Sequence, residues 1–166
     1  MKWKILSLVA LAFSYFANSG IKLDADLQRR SLISAVQADH TLRAEMLIRM
    51  GADVNSRTSA NGWSALHYAV RNGNPKVVQL LLKDGADPNY AATMEGQFNS
   101  VVSEKPIDLA RAALDLVNQV PPTKIEATLR QGGLNDPALV KSMRDKKASE
   151  RYQKVVQTLT KVTKES

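Results

Sequence analysis

Two histidines, His40 and His67, are the only imidazoles in a 166-residue chain that has no cysteine. A histidine can act as general base for a hydroxyl or water nucleophile, or bind zinc. No second histidine or carboxylate stands at zinc-ligand spacing from either one on a common face. The chain carries no Gly-x-Ser-x-Gly elbow, no glycine-rich phosphate loop and no RNA- or DNA-reading motif. A small hydrolase using His40 or His67, with partners gathered from distant positions, is the remaining catalytic reading. Nothing positive points to it, and no cofactor or metal is implied.

The elements that must position His67 are legible over residues 61–89, NGWSALHYAVRNGNPKVVQLLLKDGADPN. Leu66, Ala69 and Val70 share one face of a short helix that ends at Gly73. Asn74-Pro75 starts a second helix, with Asn as cap and Pro at the first helical position. Val77, Val78, Leu80, Leu81 and Leu82 make that helix apolar, and Gly85 follows it where a left-handed residue is wanted. Helices below about 12–15 residues are marginal alone, so this pair needs neighbours to stack on.

Self-similarity supplies them. A shift of 34 positions pairs Leu32 with Leu66, Ala35 with Ala69, Leu47 with Leu81, and Gly51-Ala52-Asp53-Val54-Asn55 with Gly85-Ala86-Asp87-Pro88-Asn89. A shift of 41 pairs Pro106-Ile107-Asp108-Leu109-Ala110 with Ala65-Leu66-His67-Tyr68-Ala69. Lys154-Val155-Val156-Gln157 echoes Lys76-Val77-Val78-Gln79, as the displaced second helix of a third unit. With Gly62, Ser64-Ala65-Leu66-His67 and Ala69 at their places, the middle unit resembles an ankyrin repeat. Ala65 replaces the family's usual proline. The resemblance implies an all-α solenoid of about three helix-turn-helix units with hairpin fingers, the third interrupted. It also implies that His67 is structural, bonding between neighbouring loops, and that the chain binds a protein rather than turning over a substrate.

The flanks are read in order. Residues 1–19 have the layout of a cleaved secretory signal: Lys2 and Lys4, an uncharged run over 5–16, then Ala17-Asn18-Ser19. The alternatives are an uncleaved anchor or a buried first helix. With no cysteine and no Asn-x-Ser/Thr acceptor, an exported chain fits a bacterial periplasm. Residues 20–30 form a capping segment in which Leu23 and Leu27 cover the stack. Repeat one spans 31–60, repeat two 61–94, and a degenerate repeat three 95–166. Tyr90 to Glu104 reads as a long loop in place of a finger. Pro121-Pro122 opens an insertion, in which Thr123 and Glu126 read as a capping box and Asp136 as a cap. A helix running to about Val162 buries Tyr152, Val155, Val156 and Leu159.

Candidate partner contacts are Arg57, Asn61, Trp63, Arg71 and Asn72 on the finger face, with Tyr90, Met94 and Phe98 from the long loop. Trp63 follows Gly62 at a position that in the family varies and faces partners, and exposed tryptophan is enriched in binding hot spots. The other reading is that it packs on the neighbouring finger. Gly51 and Gly85 are structural. The formal charge is +7. Residues 20–140 hold 13 basic and 13 acidic residues, whereas 141–166 hold 8 and 3. The repeat body is therefore no nucleic-acid binder, and the basic end reads first as a solvated helix face and frayed tail, with an acidic partner or an anionic membrane as the alternative. A small exported ankyrin-type chain resembles immunity proteins that block secreted toxins such as type VI lipases. An envelope scaffold or assembly factor is the alternative.

Overall fold

The computed structural model describes residues 32–95, 101–134 and 136–165. The expected signal over 1–19, the capping segment with Leu23 and Leu27, and Phe98 lie outside the described residues. The described chain forms an all-α repeat solenoid with one two-stranded hairpin. Helix α1 covers 32–37 and α2 Thr41–Arg49. α3 covers Ala65–Arg71 and α4 Pro75–Lys83. Strands β1, Ala92–Glu95, and β2, Val101–Glu104, pair antiparallel with Ala92 opposite Glu104. Helices α5, Pro106–Gln119, α6, Ile125–Gln131, α7, Pro137–Arg144, and α8, Ala148–Glu165, follow.

Local chemistry fixes the helix ends. Ser64 and His67 form a reciprocal capping box on α3. Asn74 accepts from the Val77 amide at 3.1 Å, with Pro75 opening α4. Gly51 and Gly85 follow α2 and α4 with φ of +86° and +90°, a conformation costly for other residues. Asp136 caps α7 through the Leu139 amide at 3.2 Å. The capping box expected from Thr123 and Glu126 does not form: α6 begins at Ile125, and its N-cap, Lys124, makes no side-chain cap bond. The long loop expected over Tyr90 to Glu104 is likewise corrected, since β1 and β2 make it a hairpin.

Asparagines stitch the units together. Asn55, after α2, donates to the Gly85 carbonyl and accepts from the Asp87 amide, both at 2.9 Å. Asn74 donates to Asp39 at 2.7 Å and Thr41 at 2.9 Å, back in the first unit. Each bond satisfies backbone or turn groups that the two-helix units leave open.

One apolar core runs through the stack and includes Leu32, Leu66, Val78, Leu81, Ala110, Val155 and Leu159. Helix α8 packs along α5 and against α4. It fills the groove that would otherwise expose Val77, Val78 and Leu81. A second core, with Ile125, Leu129, Leu139, Met143 and Tyr152, lies beneath the insertion.

Candidate binding face

The finger between the first two units is a tight turn over 57–64. Arg57 and Ser64 form a bridge at its base. Inside it the Thr58 amide donates to the Trp63 carbonyl at 2.9 Å, and the Gly62 amide to Thr58 at 3.0 Å. Asn61 Oδ1 accepts from the Trp63 amide at 3.1 Å and from the Thr58 hydroxyl. Asn61 is therefore half-buried and spends its acceptor on the turn.

Trp63 is the main correction. It is 7% exposed, packed on the His67 ring at 5.8 Å and edge-on to Tyr68 at 5.1 Å. The exposed contact that its position suggested is not there, because the indole fills the space between the finger and α3. Tyr90 takes the outer place. Its hydroxyl donates to the Gly62 carbonyl at 3.1 Å, and the Arg57 guanidinium lies 3.7 Å over its ring. Arg57 is exposed and Tyr90 half-buried. Beside them, a hollow of about 330 Å³ is lined by Ile33, Ser34, Gln37, Arg57, Ser59 and Ala60.

The structure splits the remaining candidates. Arg71 and Asn72 lie at the opposite end of α3. Asn72 is 3% exposed and donates to the Val36 carbonyl at 2.8 Å. Arg71 pairs with Asp136 of the insertion, with its side chain 13% exposed. Both hold the fold together and leave the face expected for partners. Met94 lies in β1, across from Val102.

His67 is fully buried. Nδ1 accepts from the Ser64 amide at 3.3 Å and lies 2.8 Å from the Ser64 hydroxyl. The N–H is therefore on Nε2, which donates to the Glu104 carbonyl of β2 at 3.1 Å. Burial pushes its pKa below the ordinary value, only partly offset by that carbonyl. The Ser64–His67 pair has the elements of a nucleophile and its base, but both are buried and both nitrogens are engaged in the fold. His40 stands exposed at the start of α2, without a side-chain cap bond.

The residues that sequence reasoning missed are the stitching asparagines and the insertion's contacts. Ser142 donates to the Asn72 carbonyl at 2.6 Å, and Tyr152 to the Arg71 carbonyl at 2.6 Å. The repeated Gly-Ala-Asp-x-Asn ending carried a signal for Asn55; the insertion carried none.

The sequence model described as ankyrin repeats, in three copies, matches residues 7–92. The chain belongs to the ankyrin-repeat family. The match begins within the apolar run over 5–16. Among relatives, the 2-5A-dependent ribonuclease of Mus musculus is 46% identical over 59 residues, 36% of this chain and 8% of that protein. Ankyrin repeat domain-containing protein 40 of Homo sapiens is 35% identical over 71 residues, 43% of this chain and 19% of that protein. A fowlpox virus ankyrin repeat protein is 35% identical over 96 residues, 57% and 14% of the two chains. The ankyrin chain thus spans at most a fifth of these relatives. Ankyrin repeats mediate protein–protein binding, and the described residues provide a stitched stack with an aromatic-braced finger for it.

Proposed function

We propose that this ankyrin-repeat chain is a non-enzymatic binding module, exported to a bacterial periplasm, that captures another protein through its finger end and neutralises it. The observation that carries the binding face is Arg57 held 3.7 Å over Tyr90 on a closed turn. Arginine and tyrosine are enriched among residues that dominate interface energy. A brace of this kind lowers the side-chain ordering cost of binding. Contact occurs at Arg57, Ser59 and Asn61, with Tyr90 supporting them and the adjoining hollow receiving one partner side chain.

The finer reading takes the partner to be a secreted toxin, such as a lipase delivered by type VI secretion. Its support is the export-type layout of residues 1–19 and a resemblance to immunity proteins, which is an argument by analogy. The module would act by covering the toxin's active site or fixing its lid.

The test is a pull-down of the chain from its own cell envelope and secretome, read by mass spectrometry, with Arg57→Ala alongside. A stoichiometric secreted toxin, lost with Arg57→Ala and tolerated by cells that express the chain, supports the proposal. A resident envelope protein instead makes the chain a scaffold or assembly factor. The mass of the chain recovered from the periplasm checks export: cleavage leaves Gly20 as the first residue. Recovery only in the cytoplasm, with residues 5–16 retained, overturns the export part of the proposal.

A further inference from the structure

The insertion builds a second concave surface. A cleft of about 840 Å³ lies between the turn joining α1 to α2 and the helices α6 and α7. Helix α2 runs from that turn toward the finger, roughly 13 Å for its nine residues. The cleft therefore stands at the opposite end of the stack from Arg57 and Tyr90. Its lining includes the apolar residues Ala38, Pro137 and Val140.

Its walls carry four cations, Arg130, Lys141, Arg144 and Arg151, against three carboxylates, Asp39, Glu126 and Asp145. The carboxylates are already in use. Glu126 serves both Arg130, at 2.9 Å, and Arg144, at 3.8 Å. Asp145 lies 3.8 Å from Arg151, and Asp39 accepts from Asn74. Lys141 has no ion-pair partner among the described residues, nor have Lys146 and Lys147, which follow the lining residue Asp145 directly in sequence, and all three are exposed. The cleft thus joins apolar lining residues to one unpaired lysine, with two more close by in sequence.

We propose that this cleft is a second docking site, for an acidic segment of another protein, separate from the finger face. A concave trench encloses an extended chain on several sides. A bilayer is flat and would meet only the exposed lysines, so the shape favours a peptide over a membrane. Carboxylates along the segment would meet Lys141, Lys146 and Lys147 and share the guanidinium groups of Arg130 and Arg144. Apolar side chains between them would rest on Val140 and Pro137. Charge complementarity of this kind mainly sets approach rate and partner choice.

The test uses the whole chain and a fluorescent decapeptide of Glu and Leu, with a Gln-and-Leu peptide as control, followed by anisotropy. The Glu peptide is expected to bind about tenfold more tightly than the Gln peptide at low salt, with the gap closing as salt rises. The triple variant Lys141→Gln, Lys146→Gln, Lys147→Gln should remove the preference. These side chains are exposed and unpaired, so the fold remains, as circular dichroism would verify. Arg57→Ala should leave the peptide's affinity unchanged, which separates this site from the finger. Equal binding of the two peptides, or an unchanged preference in the triple variant, overturns the proposal. So does lysine-dependent binding to phosphatidylglycerol vesicles without binding to the Glu peptide, which would make the surface a membrane contact.

Discussion

The ring of Tyr152 lies directly against the backbone of Gly73, so close that a Cβ on Gly73 would stand 2.7 Å from the ring's Cζ. Residue 73 ends the turn between α3 and α4, whereas Tyr152 belongs to the last helix. The Tyr152 hydroxyl continues past Gly73 to the Arg71 carbonyl. Gly73 also has φ of +60°. Gly73→Ala therefore meets backbone strain and overlap with a fully buried ring. We expect a loss of about 2–4 kcal/mol in urea unfolding. A loss below 0.5 kcal/mol would show that the ring moves aside without cost.

Tyr152 also predicts an alkaline limit. Burial raises its pKa from 10 to about 12, more than the neighbouring Ser142, Arg151 and Arg71 lower it. The phenol is neutral in the fold and ionises more readily when unfolded. Its contribution is full below pH 10 and is lost as pH rises toward 12. Relative to Tyr152→Phe, the wild type should lose roughly 2–3 kcal/mol across that window. Subtracting the two pH profiles cancels the lysines, and parallel profiles would refute the assignment.

His67 acts in the other direction. Its pKa is lowered by burial, so the fold favours the neutral ring. Stability is full above about pH 6.5, the unfolded value, and falls as pH drops through the lower folded one. His67→Ala removes the bonds to Ser64 and Glu104 and should cost about 2–4 kcal/mol. It should also flatten the acid limb of the thermal-melting profile; an unchanged acid limb would contradict this.

Arg57 and Trp63 should separate binding from folding. Arg57 is exposed, so Arg57→Ala should leave Tm within about 2 °C while partner affinity falls about tenfold or more. Trp63→Ala empties a buried site and should cost about 3–5 kcal/mol. Calorimetry and titration on both variants distinguish these outcomes. A Trp63 variant of normal stability with weakened binding would return the indole to the interface.

Removing residues 120–166 strips Val155 and Leu159 from the core shared with Val78 and Leu81. It also deletes Tyr152 and the partners of Arg71 and Asn72. The shortened chain should lose its cooperative melting transition, as followed by circular dichroism. A cooperative transition within about 5 °C of the full chain's would show that the first helices suffice.

The repeat units were legible because local rules agree with the fold there. Asn74-Pro75 starts a helix, Gly85 ends one, and the 34-residue shift aligns the rest. Trp63 was misread because a place in a finger does not specify burial. Whether the indole turns inward depends on His67 and Tyr68 leaving room for it on another element. Asn72 and Arg71 were misread for the same reason: their acceptors, the Val36 carbonyl and Asp136, lie 36 and 65 residues away. The cleft was invisible, since the spacing of cations along 130–151 says nothing about where the insertion folds back.

The two helices that close the stack, α5 and α8, are separated along the chain by the whole insertion. During synthesis the first units can form while the face of α4 still waits for Val155 and Leu159. Those residues leave the ribosome only after the whole insertion has. A stack that closes in this order keeps its far end open until the insertion and α8 have both been made. Chains that include α8 then gain protection from proteases that products terminated before it lack.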